Sequence, residues 1–144
     1  MNSISFTVPL TPRAQKRDRI AVIGGHARSY KASEQSHYEA QVRALINQYR
    51  PIKPIEGAIE LHVKCYLPIP VSKSKKWKVA ALAGEIYPTG KPDCSNLVKG
   101  VEDIMEGIFY RNDSQIVKVV VTKEYSDNSR WEITMNELGV TQCV

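Results

Sequence analysis

A chain of 144 residues with 42% apolar and 24% charged side chains has the size and balance of one ordinary domain around a modest core, which excludes a disordered chain. The opening MNSISFTVPL lacks a basic n-region and a long apolar run, and no apolar stretch approaches the roughly 18 residues that span a bilayer, so one cytoplasmic domain over residues 1–144 is expected. The net charge is +5, and three widely spaced cysteines, Cys65, Cys94 and Cys143, suit neither a disulfide framework nor a zinc knuckle.

Ile4, Phe6 and Val8 alternate with polar neighbours and predict a first strand that stops at Pro9. Residues 9–30, with Pro9, Pro12 and the Gly24-Gly25 pair, read as a long basic loop. Ser36 and Glu39 have capping-box spacing, and Ser33 offers a start one turn earlier. Tyr38, Val42, Leu45, Ile46 and Tyr49 then share one face of a helix that Pro51 forbids to continue. Ile59, Leu61, Val63, Cys65 and Leu67 alternate with Glu60, His62, Lys64 and Tyr66, the pattern of a strand with one buried and one wet face.

Residues 72–84 predict a short helix capped by Ser72 and ended by Gly84, with Val79 and Leu82 facing inward and its lysines forming a basic lid. The next helix has Leu97, Val98, Val101, Ile104 and Met105 on its apolar side, Asn96, Lys99 and Asp103 on a polar one, and Gly107 at its close. Val117, Val119 and Val121, a turn over 126–129, and Trp131, Ile133 and Met135 read as a terminal hairpin. The fold class is therefore α+β: a mixed sheet in the order β-α-β-α-β-β, its first two strands parallel, its last two an antiparallel hairpin, and its helices on one face.

The positive charge is concentrated in two segments. Residues 11–31 carry Arg13, Lys16, Arg17, Arg19, Arg28 and Lys31 against Asp18 alone, and residues 71–91 carry Lys73, Lys75, Lys76, Lys78 and Lys91 against Glu85 alone. Together they hold +9, and the remainder of the chain holds −4. Such a distribution suits a polyanion, because each phosphate neutralised releases condensed counterions; for either run alone a solvated surface reads equally well, and the two runs beside an acidic site tilt the balance toward nucleic acid. His26, His37 and His62 form no ligand pattern, Trp131 falls on a core position, and Trp77 is open to either packing or base stacking.

Between these basic runs and the last strands lie Asp93 and Asp113, flanking the amphipathic helix. Each alone reads as a helix cap or a turn residue. Together they are candidates to converge on Mg²⁺ or Mn²⁺, hard cations that prefer carboxylate oxygens. Lys99, on the polar side of the helix, is placed either to contact a phosphate as a compact point charge or to pair with Asp103 at i, i+4.

The stretch GKPDCSNLVKGVEDIMEGIFYRNDSQIV, residues 90–117, resembles the signature of the RusA family of Holliday junction resolvases: Lys-Pro-Asp-x-Asp-Asn-Leu, a lysine on the following helix, and a later Asp-Asp-Ser-Gln. The resemblance implies a RusA-like fold and a homodimeric, Mg²⁺- or Mn²⁺-dependent endodeoxyribonuclease making paired incisions in four-way DNA junctions. It implies catalytic roles for Asp93, Lys99 and Asp113, with Asp93, Asp113 and position 95 as metal ligands. It also implies DNA contacts from Asn96, Lys91, Lys73, Lys75, Lys76 and Lys78, and from Arg13, Lys16, Arg17, Arg19 and Arg28. Position 95 departs from the pattern, since the second aspartate is Ser95 here. Asp103, Glu102 or a water compensating for it, a disabled variant, and a member that binds junctions without cutting them are the readings this leaves open. The alternative function is a non-catalytic binder of branched or single-stranded DNA.

Overall fold

The strand predicted from Ile59, Leu61, Val63, Cys65 and Leu67 lies inside the sheet, and all five side chains are buried. The structure is a computed structural model describing residues 3–15, 19–30 and 33–139. In chain order it has strands β1 (Ser3–Val8), β2 (Arg19–Ile23) and β3 (His26–Tyr30), helix α1 (Ser33–Ile46), strand β4 (Ile59–Pro68), helices α2 (Lys75–Leu82) and α3 (Cys94–Met105), and strands β5 (Ile116–Ser126) and β6 (Arg130–Glu137). The fold is α+β, as the alternating and helical periodicities require.

Four strands form a mixed sheet in the order β1-β6-β4-β5. β4 pairs parallel with β5 and antiparallel with β6, and β1 runs antiparallel to β6. Two sequence expectations change here. β1 and β4 point the same way but β6 lies between them, so the parallel neighbours are β4 and β5, joined by the crossover that contains α2 and α3. The expected terminal hairpin is not hydrogen-bonded as one: β5 and β6 splay apart and take β4 between them. The basic stretch read as a loop also contains the antiparallel ribbon β2–β3. Its turn is Gly24-Gly25 with φ of 59° and 81°, the doubly positive conformation that a tight hairpin turn demands and that glycine adopts freely.

One sheet face carries Phe6, Val8, Trp131, Ile133 and Met135 with the buried residues of β4, and α1 and α3 cover it through Tyr38, Val42, Ile46, Leu97, Val101, Ile104 and Met105. A hydrogen-bonded chain crosses this core. Trp131 Nε1 donates to Tyr38 Oη at 2.8 Å, and the Tyr38 hydroxyl donates to the Thr11 carbonyl at 2.7 Å. Burial raises the Tyr38 hydroxyl above its ordinary range, so it remains a donor. Tyr38→Phe leaves the buried indole N–H without this acceptor, and a loss of about 1–3 kcal/mol in chemical denaturation is expected.

α2 starts two residues later than expected, with Ser74 rather than Ser72 as its cap, accepting from the Trp77 amide at 3.2 Å. Val79 and Leu82 are exposed rather than inward, and Ala81 is the buried residue of this helix. The helix is seated instead by Trp77, whose ring meets Tyr125 edge-on at 5.4 Å with Lys73 over it at 5.0 Å. Cys65 and Cys94 are free, and burial pushes the Cys65 thiol up to about 12, which leaves it unreactive. Cys143 lies outside the described residues. Among the described residues, no helix is long and apolar enough to cross a membrane.

Candidate active site

α3 is strongly amphipathic, so burying Leu97, Val101, Ile104 and Met105 forces the residues between them to line one exposed edge. Asp93 occupies the N-cap of α3, yet its side chain makes no capping hydrogen bond to the helix. Its Oδ1 instead accepts from Asn96 Nδ2 at 2.9 Å. The segment before it, which includes a cis Lys91–Pro92 bond, is pinned by Lys123 of β5, whose Nζ donates to the carbonyls of Gly90 at 2.9 Å and Pro92 at 3.0 Å. Lys123 had no signal in the sequence beyond its strand position. Ser95 is exposed in the first turn of α3.

Two turns into the helix, the Lys99 ammonium lies 3.2 Å from Asp103 Oδ1 and 3.6 Å from Asp113 Oδ2. The i, i+4 pair with Asp103 therefore forms, and Lys99 also reaches Asp113. Hydrogen bonding and charge from Asp103, then charge from Asp113, raise the Lys99 ammonium above the usual lysine range. It is held as a cation through neutral pH.

Asp113 is brought back to α3 by two turns. After Glu106 the chain reverses at Gly107, whose φ is +85°, and the Gly107 amide donates to the Tyr110 carbonyl at 2.7 Å. The second turn, Asp113–Gln115, is held by its neighbours. Asn112 Oδ1 accepts from the Ser114 amide, and Gln115 Oε1 accepts from the amides of Arg111 and Asn112, all at 2.9 Å. Gln115 Nε2 donates in turn to the carbonyls of Ile55 and Gly57 at 2.7 and 3.0 Å. The Asp113 carboxylate is thus not needed to make its own turn.

These turns bring Asp103, Glu106 and Asp113 together, with one carboxylate oxygen of each within 4.8 Å of the others. Oxygens on opposite sides of a hard dication, at about 2.1–2.4 Å from it, stand about 4.2–4.8 Å apart, so this all-oxygen donor set is compatible with a hard divalent cation. The three carboxylates together with the Lys99 ammonium, which pairs with Asp103 and Asp113, carry a formal charge of −2. Beside them, burial and then the nearby Asp113 raise the Glu102 carboxyl. Asp93 is not one of the three clustered carboxylates. Along α3 it precedes Asp103 by ten residues, about 15 Å of helical rise. Glu106 carries no signal in the sequence, because only the Gly107 reversal brings it to Asp113, whose amide donates to its Oε1 at 3.2 Å.

The basic residues divide by position. Lys73, Lys75, Lys76 and Lys91 are exposed and Lys78 is half-buried. Arg13 stands over the Tyr38 ring at 5.3 Å and 3.7 Å from Glu34. Arg19 and Arg28 are in the β2–β3 ribbon, where the register pairs them with Tyr30 and Ala21. Lys16, Arg17 and Lys31 lie outside the described residues. Thr11 and Pro12 from the first basic segment and Gly90 and Lys91 from the second line one groove with Tyr125, next to the start of α3.

Residues 9–136 match the family described as "Endodeoxyribonuclease RusA". The chain belongs to the RusA endodeoxyribonuclease family. It is 38% identical over 141 residues to "Uncharacterized protein YqaN" of Bacillus subtilis (strain 168), covering 96% of this chain and 99% of that protein. It is also 24% identical over 134 residues to "Crossover junction endodeoxyribonuclease rusA" of Lactococcus phage r1t, covering 92% of this chain and 95% of the phage protein.

Proposed function

We propose that the chain is a divalent-metal-dependent endodeoxyribonuclease that resolves four-way DNA junctions. The observation that carries this reading is the Lys99 ammonium held between Asp103 and Asp113, beside Glu106, in a chain of this family. Asp113, Asp103 and Glu106 would hold Mg²⁺ or Mn²⁺. When bound, such a cation readies a water for attack and neutralises charge on the scissile phosphate and departing oxygen. Lys99, kept protonated by its two partners, offers its ammonium to the phosphate. Asp93, set by Asn96 and the Lys123-pinned segment, supplies a further carboxylate at the start of α3, apart from these three. Asn96 and the groove between the two basic segments would take the DNA backbone.

A junction has approximate two-fold symmetry, so a closed homodimer presents one site to each opposed strand. Exposed Val117, Val119 and Val120 on edge strand β5 supply apolar surface for such an association. The decisive experiment incubates labelled four-way junction and linear duplex with the protein, with and without Mn²⁺. Paired, Mn²⁺-dependent incisions confined to the junction are expected. Tight junction binding with no cutting at any Mn²⁺ concentration would establish the non-catalytic reading, which the exposed Ser95 at an aspartate position favours.

The basic helix has its own test. Replacing Lys75, Lys76 and Lys78 together with alanine should weaken junction binding and reduce the slope of log affinity against log salt by up to about 3, for three phosphates released. An unchanged slope would remove α2 from the DNA interface.

A further inference from the structure

The Asp103 carboxylate is gripped from two sides. Lys99 approaches Oδ1 at 3.2 Å, and the other oxygen, Oδ2, accepts from Gln15 Nε2 at 2.8 Å. Gln15 comes from the segment after β1, 88 residues away in sequence, and its hydrogen bond is partly buried. The close approach has a visible cause in α3. Gly100 is buried, and a Cβ built on it would lie 3.4 Å from both the backbone nitrogen and the Cβ of Gln15. A helix surface without a side chain at this position lets the segment lie against it, one turn before Asp103. Upstream the segment is tied down independently, by the Tyr38 hydroxyl on the Thr11 carbonyl and by a 2.7 Å hydrogen bond between the hydroxyls of Thr11 and Ser129.

The two grips differ chemically. Lys99 is a charged partner, shared with Asp113, and is exposed enough to swing toward an incoming phosphate. Gln15 is neutral, carries no charge to repel a dication, and occupies only the oxygen turned away from Lys99. A carboxylate free to rotate about its last torsion must be ordered when it takes a ligand. One fixed by a neutral donor presents its remaining oxygen in place.

We infer that Gln15 is a positioning residue that fixes the Asp103 carboxylate for cation binding and holds it there when Lys99 turns to the substrate. The inference rests on the proposed metal-dependent cleavage and adds a residue to its site. The test is a calorimetric titration of Mn²⁺ into the full chain for wild type, Gln15→Ala and Gln15→Met, with kcat and KM on a four-way junction measured in parallel. Methionine keeps the length and the contact with Gly100 but has no donor.

Both variants should bind Mn²⁺ about 10-fold more weakly, the scale at which partners of metal ligands act. Their kcat should fall at limiting Mn²⁺ and recover at saturating Mn²⁺, with KM for the junction and thermal midpoint unchanged. Wild-type Mn²⁺ affinity in both variants would overturn the inference. So would a defect in Gln15→Ala that Gln15→Met repairs, since that assigns the residue to packing alone. A wild-type chain that neither binds Mn²⁺ nor cuts would instead sink the proposed function, and this inference with it.

Discussion

Asp113→Asn is expected to lower kcat for junction cleavage at least about 100-fold, about 2.7 kcal/mol of transition-state stabilisation, while folding and junction binding persist. The substitution removes charge and keeps shape. The turn that carries Asp113 is held by Asn112 and Gln115, and its amide by Glu106, so none of these restraints uses the Asp113 carboxylate. Lys99 loses its 3.6 Å partner but retains Asp103 at 3.2 Å. What disappears is the charge of one of three carboxylates, leaving a neutral and poorer amide oxygen in its place, and the formal charge of the cluster with Lys99 moves from −2 to −1. Single-turnover cleavage together with thermal melting reads the two effects apart. A variant that melts early and whose folded fraction cuts normally would return Asp113 to a purely structural role.

The second large effect concerns which carboxylates hold the cation. Glu106→Gln keeps the acceptor that meets the Asp113 amide and removes only the charge, so Mn²⁺ affinity should fall about 10-fold or more, with little change in stability. Ser95→Asp is expected to act in the opposite direction. It restores a carboxylate to the first turn of α3, where the helix dipole favours negative charge by about 0.3–1 kcal/mol, and both metal affinity and cleavage should rise. The pair of variants is best measured side by side at limiting Mg²⁺. Cleavage left unchanged by Ser95→Asp and destroyed by Glu106→Gln would mean that Asp103, Glu106 and Asp113 hold the cation without a carboxylate at position 95. Cleavage indifferent to Glu106→Gln would remove this residue from the metal site.

Much of the architecture was legible because local periodicity and burial agree. The strict alternation from Ile59 to Leu67 fixes one buried face, since a one-residue slip would turn all five apolar side chains to water. Leu97, Val101, Ile104 and Met105 likewise fix which edge of α3 is left to Lys99 and Asp103. The α+β class, the helix boundaries set by proline and glycine, and the i, i+4 approach of Lys99 to Asp103 all follow from the order of residues along single elements.

The neighbours of each strand did not follow. Residues 127–129 look like a hairpin loop, yet they also suffice to cross the end of β4, and local turn chemistry does not distinguish the two. The choice is made by burial: β4 and β6 carry the long apolar faces and occupy the middle of the sheet, and the more exposed β5 is left at its edge. The same holds at the site. Lys99 and Asp103 are neighbours by helix geometry, so the sequence alone could bring them together. Glu106 reaches Asp113 only through the reversal at Gly107, Gln15 reaches Asp103 only because Gly100 leaves room, and Lys123 reaches the segment before Asp93 only because β5 pairs with β4. Contacts within one helix are set by its 3.6-residue repeat, whereas contacts between distant segments depend on which surfaces the whole chain buries together, and only the tertiary structure decides that.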